Sequence, residues 1–454
     1  MSDLWTAVSL GTVSAAMMWL ASRPSAAPLA WVGLTPLCFV VLTFSPMQTA
    51  FAAAFAGMLT STHVLLDRTQ QRLIGLVAAI TALSWGSAYG CAAWLVRELP
   101  SPWLAALLLP LAAVVALLPI RFAGAPRWVS NPIACTQERL LPVVHIAQLG
   151  GDLLVTAVLA AVSGSIALLL AATTLSLQHW LAAAATMGSA AAALLFGLYA
   201  FSAAKRAADR AVRVRMAAVA VNVPPPEQAA LTGLWPVESP HARDVAHALR
   251  RYELPIRRAA SQGAELVVLP ECVVCVDDAS RETWIETLAS WAKEEQLAIV
   301  VGYLDESLPS NMLTVIDAQG GVVGSYHKQH PALGMEPKPP VRTFPGPHHV
   351  VTRSRTLPLS TVICVDLDYG DLIATARRVG GVLNVPSNDW PIFERMHHRT
   401  AVWAAAMSGV PVLRSTGHGT SSVYDGAGRV LAAQSNFHEP VVLVADVPLA
   451  PSSI

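Results

Sequence analysis

Three short segments in the second half of the chain hold residue types that together perform acyl chemistry: Leu269-Pro270-Glu271, Tyr326-His327-Lys328 and Val362-Ile363-Cys364-Val365-Asp366. A carboxylate, an amine and a thiol follow one another, each at the end of an apolar run. A thiol with its own base and its own cation suits acyl transfer through a thioester. Glu271 follows a buried-looking run, where poor solvation raises the pKa of a carboxylate and fits it to accept a proton. An ammonium at Lys328 could stabilise both an oxyanion and the thiolate. Taken singly, each residue has a plainer reading: a loop-capping Glu, a surface Lys, a packing Cys. The ordered set is more specific than its members.

The elements that must position this trio alternate between strand and helix. Apolar runs predict strands at Arg213–Val221, Glu265–Leu269, Leu297–Tyr303 and Gly381–Val385, and a strand Leu359–Val365 that ends at the thiol. Helical periodicity marks His241–Ala260, Glu282–Glu294, Asp371–Val379 and Phe393–Ser408. Met312–Ile316 and Val322–Tyr326 flank Asp317-Ala318-Gln319-Gly320-Gly321, a hairpin with glycines where positive φ is needed. Val412–Ser415, Ser421–Tyr424 and Val430–Ala433 close the domain. This alternation predicts an α/β sandwich.

The first half is different. Hydrophobic residues make up 54% of the 454 residues and charged residues only 13%, against about 25% charged in globular chains. The deficit lies before about Ser202, so the expected organisation is a transmembrane domain over residues 1–204 and a catalytic domain over 211–450. Seven apolar runs approach the roughly 20 residues of a span: Leu4–Leu20, Leu29–Phe44, Gln48–Leu66, Leu73–Val96, Trp103–Leu118, Asp152–Thr173 and Trp180–Ser202. The first lacks the basic n-region of a signal peptide and is read as retained. Arg23, Arg68, Arg72, Arg121, Arg127 and Arg139 follow odd-numbered runs, and Lys205 and Arg206 crowd the last exit. By charge asymmetry alone, those loops and the soluble half face the cytoplasm. The segment from Ile120 to Gly151 is read either as an interfacial stretch anchored by Trp128 or as the lining of a lipid entry.

Net charge is zero, with no basic block of the kind that binds nucleic acid. The six cysteines are scattered and outline no disulfide framework, and Cys272-x-x-Cys275 lacks the second pair of a zinc site.

With these residues in view, the second half resembles the nitrilase, or carbon–nitrogen hydrolase, superfamily over roughly Val212–Val447. The resemblance rests on P-E at Glu271, Y-x-K at Lys328 and Cys364 with an acid two positions on, in that order. It extends to Asn384-Val385-Pro386-Ser387-Asn388-Asp389-Trp390, Arg414-Ser415-Thr416-Gly417-His418-Gly419 and Tyr424-Asp425. The apolar runs ahead of it are similar to those of the apolipoprotein N-acyltransferase family. That resemblance implies a multi-span helical domain followed by an αββα sandwich, with Glu271, Lys328 and Cys364 catalytic and Glu336 and Asp366 supporting. It implies a phospholipid as acyl donor and the amine of a diacylglyceryl lipoprotein as acceptor, with no metal or diffusible cofactor. It also implies a bacterial inner membrane, with the catalytic domain on the outer face, opposite to the charge pattern. A membrane-tethered amidase or nitrilase, or an acyltransferase with another amine acceptor, stays open.

The chain departs from the family at Val365 and Asp366, where Tyr and Glu are usual, and at Ala332-Leu333-Gly334-Met335 before Glu336. A further span usually follows this domain, and Pro448–Ile454 is too short to be one. Gly233-Leu234-Trp235 loosely matches a family Trp. His397 and His398 point about 100° apart on a helix and suit structure better than a shared metal. His327 and His330 beside Lys328 would suggest a Cys–His protease, a reading that leaves Glu271 unexplained. Trp390 and Phe393 fit either packing or a lipid-facing lid.

Overall fold

Proline placement decides how the apolar first half folds. The computed structural model describes residues 2–23, 25–62, 71–125, 127–221, 243–331, 336, 339–389, 394–435 and 440–451. These divide into two units, Met1–Ser202 and Ala203–Ile454. Among the described residues, five helices are long and apolar enough to cross a membrane: Ser2–Ala21, Gly75–Glu98, Pro102–Phe122, Ala147–Ala171 and Leu177–Arg210. Two of the seven expected runs are not among these five. Leu29–Phe44 is broken into a 3-10 turn Ala27–Leu29 and short helices Ala30–Gly33 and Thr35–Thr43. Pro28 and Pro36 sit in the first turns of two of these pieces, where a missing N–H is tolerated; inside one continuous helix each would cost a hydrogen bond. The run Gln48–Leu66 is helical over Pro46–Thr62, and its remainder lies outside the described residues.

The segment from Ile120 to Gly151 is a chain of short helices, Leu118–Phe122, Arg127–Ser130, Pro132–Cys135 and Leu141–His145. Its polar side chains turn inward on Asp152. Arg121 Nη1 donates to both Asp152 oxygens at 2.9 Å, and Asn131 Nδ2 donates to Oδ2 at 2.9 Å. The Trp128 side chain, the proposed anchor, lies outside the described residues.

In the second unit the alternation of side chains dictates the layers. Among the described residues thirteen strands occur: β1 (Arg213–Ala220), β2 (Leu266–Val268), β3 (Cys275–Val276), β4 (Ala298–Asp305), β5 (Ser310–Ile316), β6 (Val322–His327), β7 (His348–Val351), β8 (Thr356–Thr361), β9 (Val382–Ser387), β10 (Val412–Thr416), β11 (Thr420–Tyr424), β12 (Val430–Ser435) and β13 (Val441–Pro448). They form one sheet in the order β13-β1-β2-β4-β5-β6, with β3 beside β4, and a second in the order β12-β11-β10-β9-β8-β7. Met216, Ala218, Val268, Val300 and Leu313 of the first sheet meet Leu359, Val382, Leu413 and Val423 of the second in one apolar layer. The alternate residues Ala217, Val219, Val267, Ile299 and Val301 face Tyr252, Ile256, Trp284 and Leu288 of two helices. Strands buried on both faces read as continuous apolar runs, as these do.

The helix Val245–Ser261 buries Val245, Ala248, Tyr252, Ile256 and Ala259, a single stripe at 3–4 spacing, and Asp244 caps its start by accepting from His247 N at 2.9 Å. The helix Asp278–Glu295 opens on a capping box of Asp277 and Ser280 and ends at Gln296, in the left-handed region. Helices Gly370–Val379 and Glu394–Ser408 pack against the second sheet. The arrangement is therefore α/β with two central sheets and helices outside both.

Two expectations need correcting. The strand before the thiol ends at Thr361 rather than Val365, and Cys364 opens a 3-10 turn, Cys364–Asp368. The strands β3, β7 and β13 were not expected.

Candidate active site

Glu271, Lys328, Glu336 and Cys364 come from three loops that leave strand ends, Lys328 and Glu336 from the same one. Glu271 follows β2, and its segment crosses β4 closely: a Cβ at Gly302 would stand 2.7 Å from Pro270 O and 2.8 Å from Glu271 Cα. Only glycine permits that approach. Lys328 follows β6, with its backbone N–H donating to Asn311 O on β5 at 2.9 Å. Cys364 has φ +51° and Cys272, next to Glu271, has φ +53°. Non-glycine residues are uncommon in that region, and such strain gathers at functional sites.

The three charged groups touch. Lys328 Nζ donates to Glu271 Oε1 at 2.8 Å and lies 2.8 Å from Glu336 Oε2 and 2.9 Å from Oε1. Glu271 and Lys328 are each 4% exposed. Burial works against the Lys328 ammonium, yet the charges of Glu271, Glu336 and Cys364 outweigh it and hold the pKa well above the ordinary lysine value. The lysine is thus a permanent cation.

Cys364 joins the cluster through Asn388. Its Sγ donates to Asn388 O at 3.6 Å, while Asn388 N donates to Glu271 Oε2 at 2.9 Å and Asn388 Nδ2 to Glu271 O at 2.9 Å. One residue thereby fixes both the thiol and the acid. Asn388 is held in turn by its neighbours. Asp389 N donates to His418 O at 2.8 Å, and the buried Arg414 donates from Nη2 to Asp389 Oδ1 at 2.6 Å. A Cβ at Gly417 would come within 2.1 Å of Asn388 Oδ1.

Asp366 does not touch the charged trio. It accepts from Tyr326 Oη at 2.8 Å, His330 N at 2.8 Å, Gln329 N at 3.3 Å and Ile363 N at 3.3 Å. It therefore ties the loop after Lys328 to the turn that carries Cys364. The histidines are engaged in the same framework. His327 Nδ1 pairs with Ser310 Oγ at 2.8 Å, and His330 pairs with Asp366 and stacks on Tyr369 with ring centroids 3.4 Å apart. Neither contact is with Cys364, so the geometry gives the Cys–His protease reading nothing.

Cys272 and Cys275 are buried thiols. Burial pushes Cys275 up to about 12, and burial with the nearby Glu271 and Glu336 charges raises Cys272 well above the ordinary thiol value. Both stay protonated and unreactive. Residues 332–335, Trp390, Phe393 and Gly233-Leu234-Trp235 lie outside the described residues, as do the side chains of His397 and His398.

Sequence reasoning missed Asn311. This β5 residue donates from Nδ2 to Glu271 Oε1 at 2.6 Å and to Glu336 Oε1 at 2.9 Å. The available signal was an amide immediately before Met312–Ile316, the strand expected to pair with the one before Lys328. Arg414, Asp389 and Asn388 stood within noted segments, but no role was read for them.

A proton acceptor, a fixed cation and a strained thiol in one buried cluster can form and resolve a thioester. Residues 228–451 match the family model described as carbon-nitrogen hydrolase. A structure of an amidase from Nesterenkonia sp. is similar at 21% identity over 53% of this chain and 92% of the amidase, with a TM-score of 0.41. A mutant of that amidase in complex with butyramide is similar at 20% identity over 53% and 92%, with a TM-score of 0.42. Another mutant, with covalent addition of the acetamide moiety of fluoroacetamide at the active site cysteine, is similar to the same extent. A search of curated protein sequences finds no match.

Proposed function

We propose that this protein is a membrane N-acyltransferase that moves an acyl chain from a phospholipid, through a thioester on Cys364, to the N-terminal amine of diacylglyceryl-cysteine on bacterial lipoproteins. Glu271 takes the thiol proton, and Sγ attacks the ester carbonyl carbon. Lys328 offsets the charge that develops on the carbonyl oxygen. The C–O bond breaks, Glu271 returns the proton to the departing lysophospholipid, and the acyl-thioester remains. The amine then attacks, Glu271 takes its N–H proton, the C–S bond breaks and the proton returns to sulfur. Glu336 holds Lys328 between the two carboxylates throughout. Two half-reactions on one nucleophile imply ping-pong kinetics.

The observation that carries this reading is the company the site keeps: among the described residues, five helices of membrane-crossing length in the same chain as a Glu–Lys–Cys set. A hydrolase of small molecules needs at most one anchor. The lipoprotein acceptor further requires the catalytic unit on the outer face of the inner membrane. If the Arg-rich loops set the orientation instead, the acceptor is another amine.

One observation favours a second reading, hydrolysis of a small amide. Cys364 is 8% exposed and its thiol donates to Asn388 O, and so closed a site suits a small substrate better than a lipid tail.

Intact-protein mass spectrometry after incubation with phospholipid separates the two. A gain of one acyl chain, reversed by hydroxylamine and absent in Cys364→Ser, is the expected result. A protein that acquires no acyl chain from phospholipid yet is acylated by butyramide would overturn the transferase reading in favour of the hydrolase.

A further inference from the structure

Asn311 is 5% exposed, and its amide is oriented by its surroundings. Two carboxylates, Glu271 and Glu336, lie on one end of the amide at 2.6 and 2.9 Å. Carboxylates accept and do not donate, so that end must be the NH2. The carbonyl oxygen Oδ1 is thereby turned away from both acids. Among the described residues no donor reaches it, although it is fully buried. Buried polar atoms in native proteins nearly always have partners, and an exception calls for an explanation.

We propose that Asn311 Oδ1 accepts an N–H of the reacting nitrogen, making Asn311 a specificity-determining residue for amines. The proposal rests on the acyl-transfer reading above. A primary amine attacking the Cys364 thioester carries two N–H bonds and has one lone pair to spend. The lone pair forms the new C–N bond as the C–S bond breaks. One N–H proton passes to Glu271 and then to the sulfur leaving group. The other N–H stays on nitrogen and needs an acceptor in a closed site. Asn311 places that acceptor one amide group from the base, because Nδ2 of the same side chain is hydrogen-bonded to Glu271. Water can meet the same two groups with its two O–H bonds, so Oδ1 does not exclude hydrolysis. A secondary amine has a single N–H, which Glu271 must take, and it leaves Oδ1 without a donor. Asn311 therefore favours primary over secondary amines as acceptors. An ester donor has no N–H at its reacting centre, so forming the thioester makes no use of Oδ1.

The test loads the detergent-purified full chain with p-nitrophenyl butyrate and follows two readouts. The p-nitrophenolate burst reports thioester formation. Mass spectrometry of the products reports the ratio of butyryl-glycinamide to butyryl-sarcosinamide when the primary amine glycinamide and the secondary amine sarcosinamide compete, with Cys364→Ser as background. In Asn311→Ala, and in the less disruptive Asn311→Ser, the preference for the primary amine is expected to fall about tenfold, the worth of one hydrogen bond. Loss of the Nδ2 bonds to Glu271 and Glu336 slows the burst in both variants, so the preference is compared per thioester formed. A purely structural Asn311 would slow both amines equally. A variant that forms the thioester and keeps the parent's preference overturns the proposal. A parent enzyme that gives no burst overturns the acyl-transfer reading, and this inference with it.

Discussion

Each unit buries a charged cluster bridged by an asparagine, and the two clusters are built with opposite balance. In the apolar unit one carboxylate, Asp152, has Arg121 at 2.9 Å and Arg127 at 3.8 Å. In the catalytic unit one ammonium, Lys328, lies between Glu271 and Glu336. The asparagines differ more sharply. Asn131 donates to Asp152, and its amide oxygen accepts from Ala134 N at 3.1 Å and Thr156 Oγ1 at 2.8 Å. Asn311 donates to both acids, and its oxygen has no donor among the described residues. Asn131 thus completes its hydrogen bonds inside its own cluster. Asn311 leaves its oxygen open. The backbone agrees: the glycine before Asp152, Gly151, takes φ +70° at no steric cost, whereas the catalytic unit puts Cys364 itself in the left-handed region.

That contrast can be broken or sharpened by experiment. The largest effect is expected from Glu271→Gln, which keeps the shape of the side chain and removes the proton acceptor. Acyl-adduct formation at Cys364, followed by mass spectrometry over time, should slow about 10²–10⁴-fold, with the melting temperature little changed. If the rate is unaffected, the Glu271 cluster is structural like its counterpart. Asp152→Ala should do the reverse. It leaves the buried Arg127 and the partly exposed Arg121 without their carboxylate, at a cost of about 3–5 kcal/mol, read as a lower melting temperature in detergent. The acylation rate per folded molecule should be unchanged, and a selective loss of rate would assign the apolar cluster a part in the chemistry.

The smallest effect concerns pH. Burial lowers the pKa of His327 and His348 below the ordinary imidazole value. Below about pH 6.5 the unfolded chain therefore binds more protons than the folded one, and stability falls as pH drops through that value until the folded-state pKa values are passed. The melting temperature of His327→Gln/His348→Gln should depend less steeply on pH over that interval than that of the parent. Equal slopes would show that these two sites do not govern acid sensitivity.

Much of the catalytic unit is legible in its apolar periodicity. Strands such as β1 and β4 announce themselves because a strand covered on both faces must be apolar throughout. Strand β7 does not, since His348 and His349 interrupt its pattern. Strand β13 pairs with β1 from more than two hundred residues away, Val441 opposite Ala220, and local sequence carries no trace of that register. The extra residues between β8 and Cys364 were invisible for a related reason. Val362 and Ile363 are as apolar as the strand before them, and only the turn geometry separates them from it. In the apolar half, mean composition suggested a span at Leu29–Phe44, whereas Pro28 and Pro36 decide its division into short pieces.

By itself, the sequence determined the kinds of group available and their order: an acid, an amine and a thiol after apolar runs, behind a long apolar half. Those follow from residue type and periodicity, which are local properties. Only the tertiary structure decided which groups meet. Glu271, Asn311, Lys328, Cys364 and Asn388 leave five different strand ends or loops, and two packed sheets bring them within hydrogen-bond reach. It alone decided that Asn388 serves both thiol and acid, that Asp366 clamps loops instead of touching the trio, and that the oxygen of Asn311 is left open. Hydrogen bonds between residues distant in sequence depend on register and on the distance between sheets, and neither is written in any short run of residues.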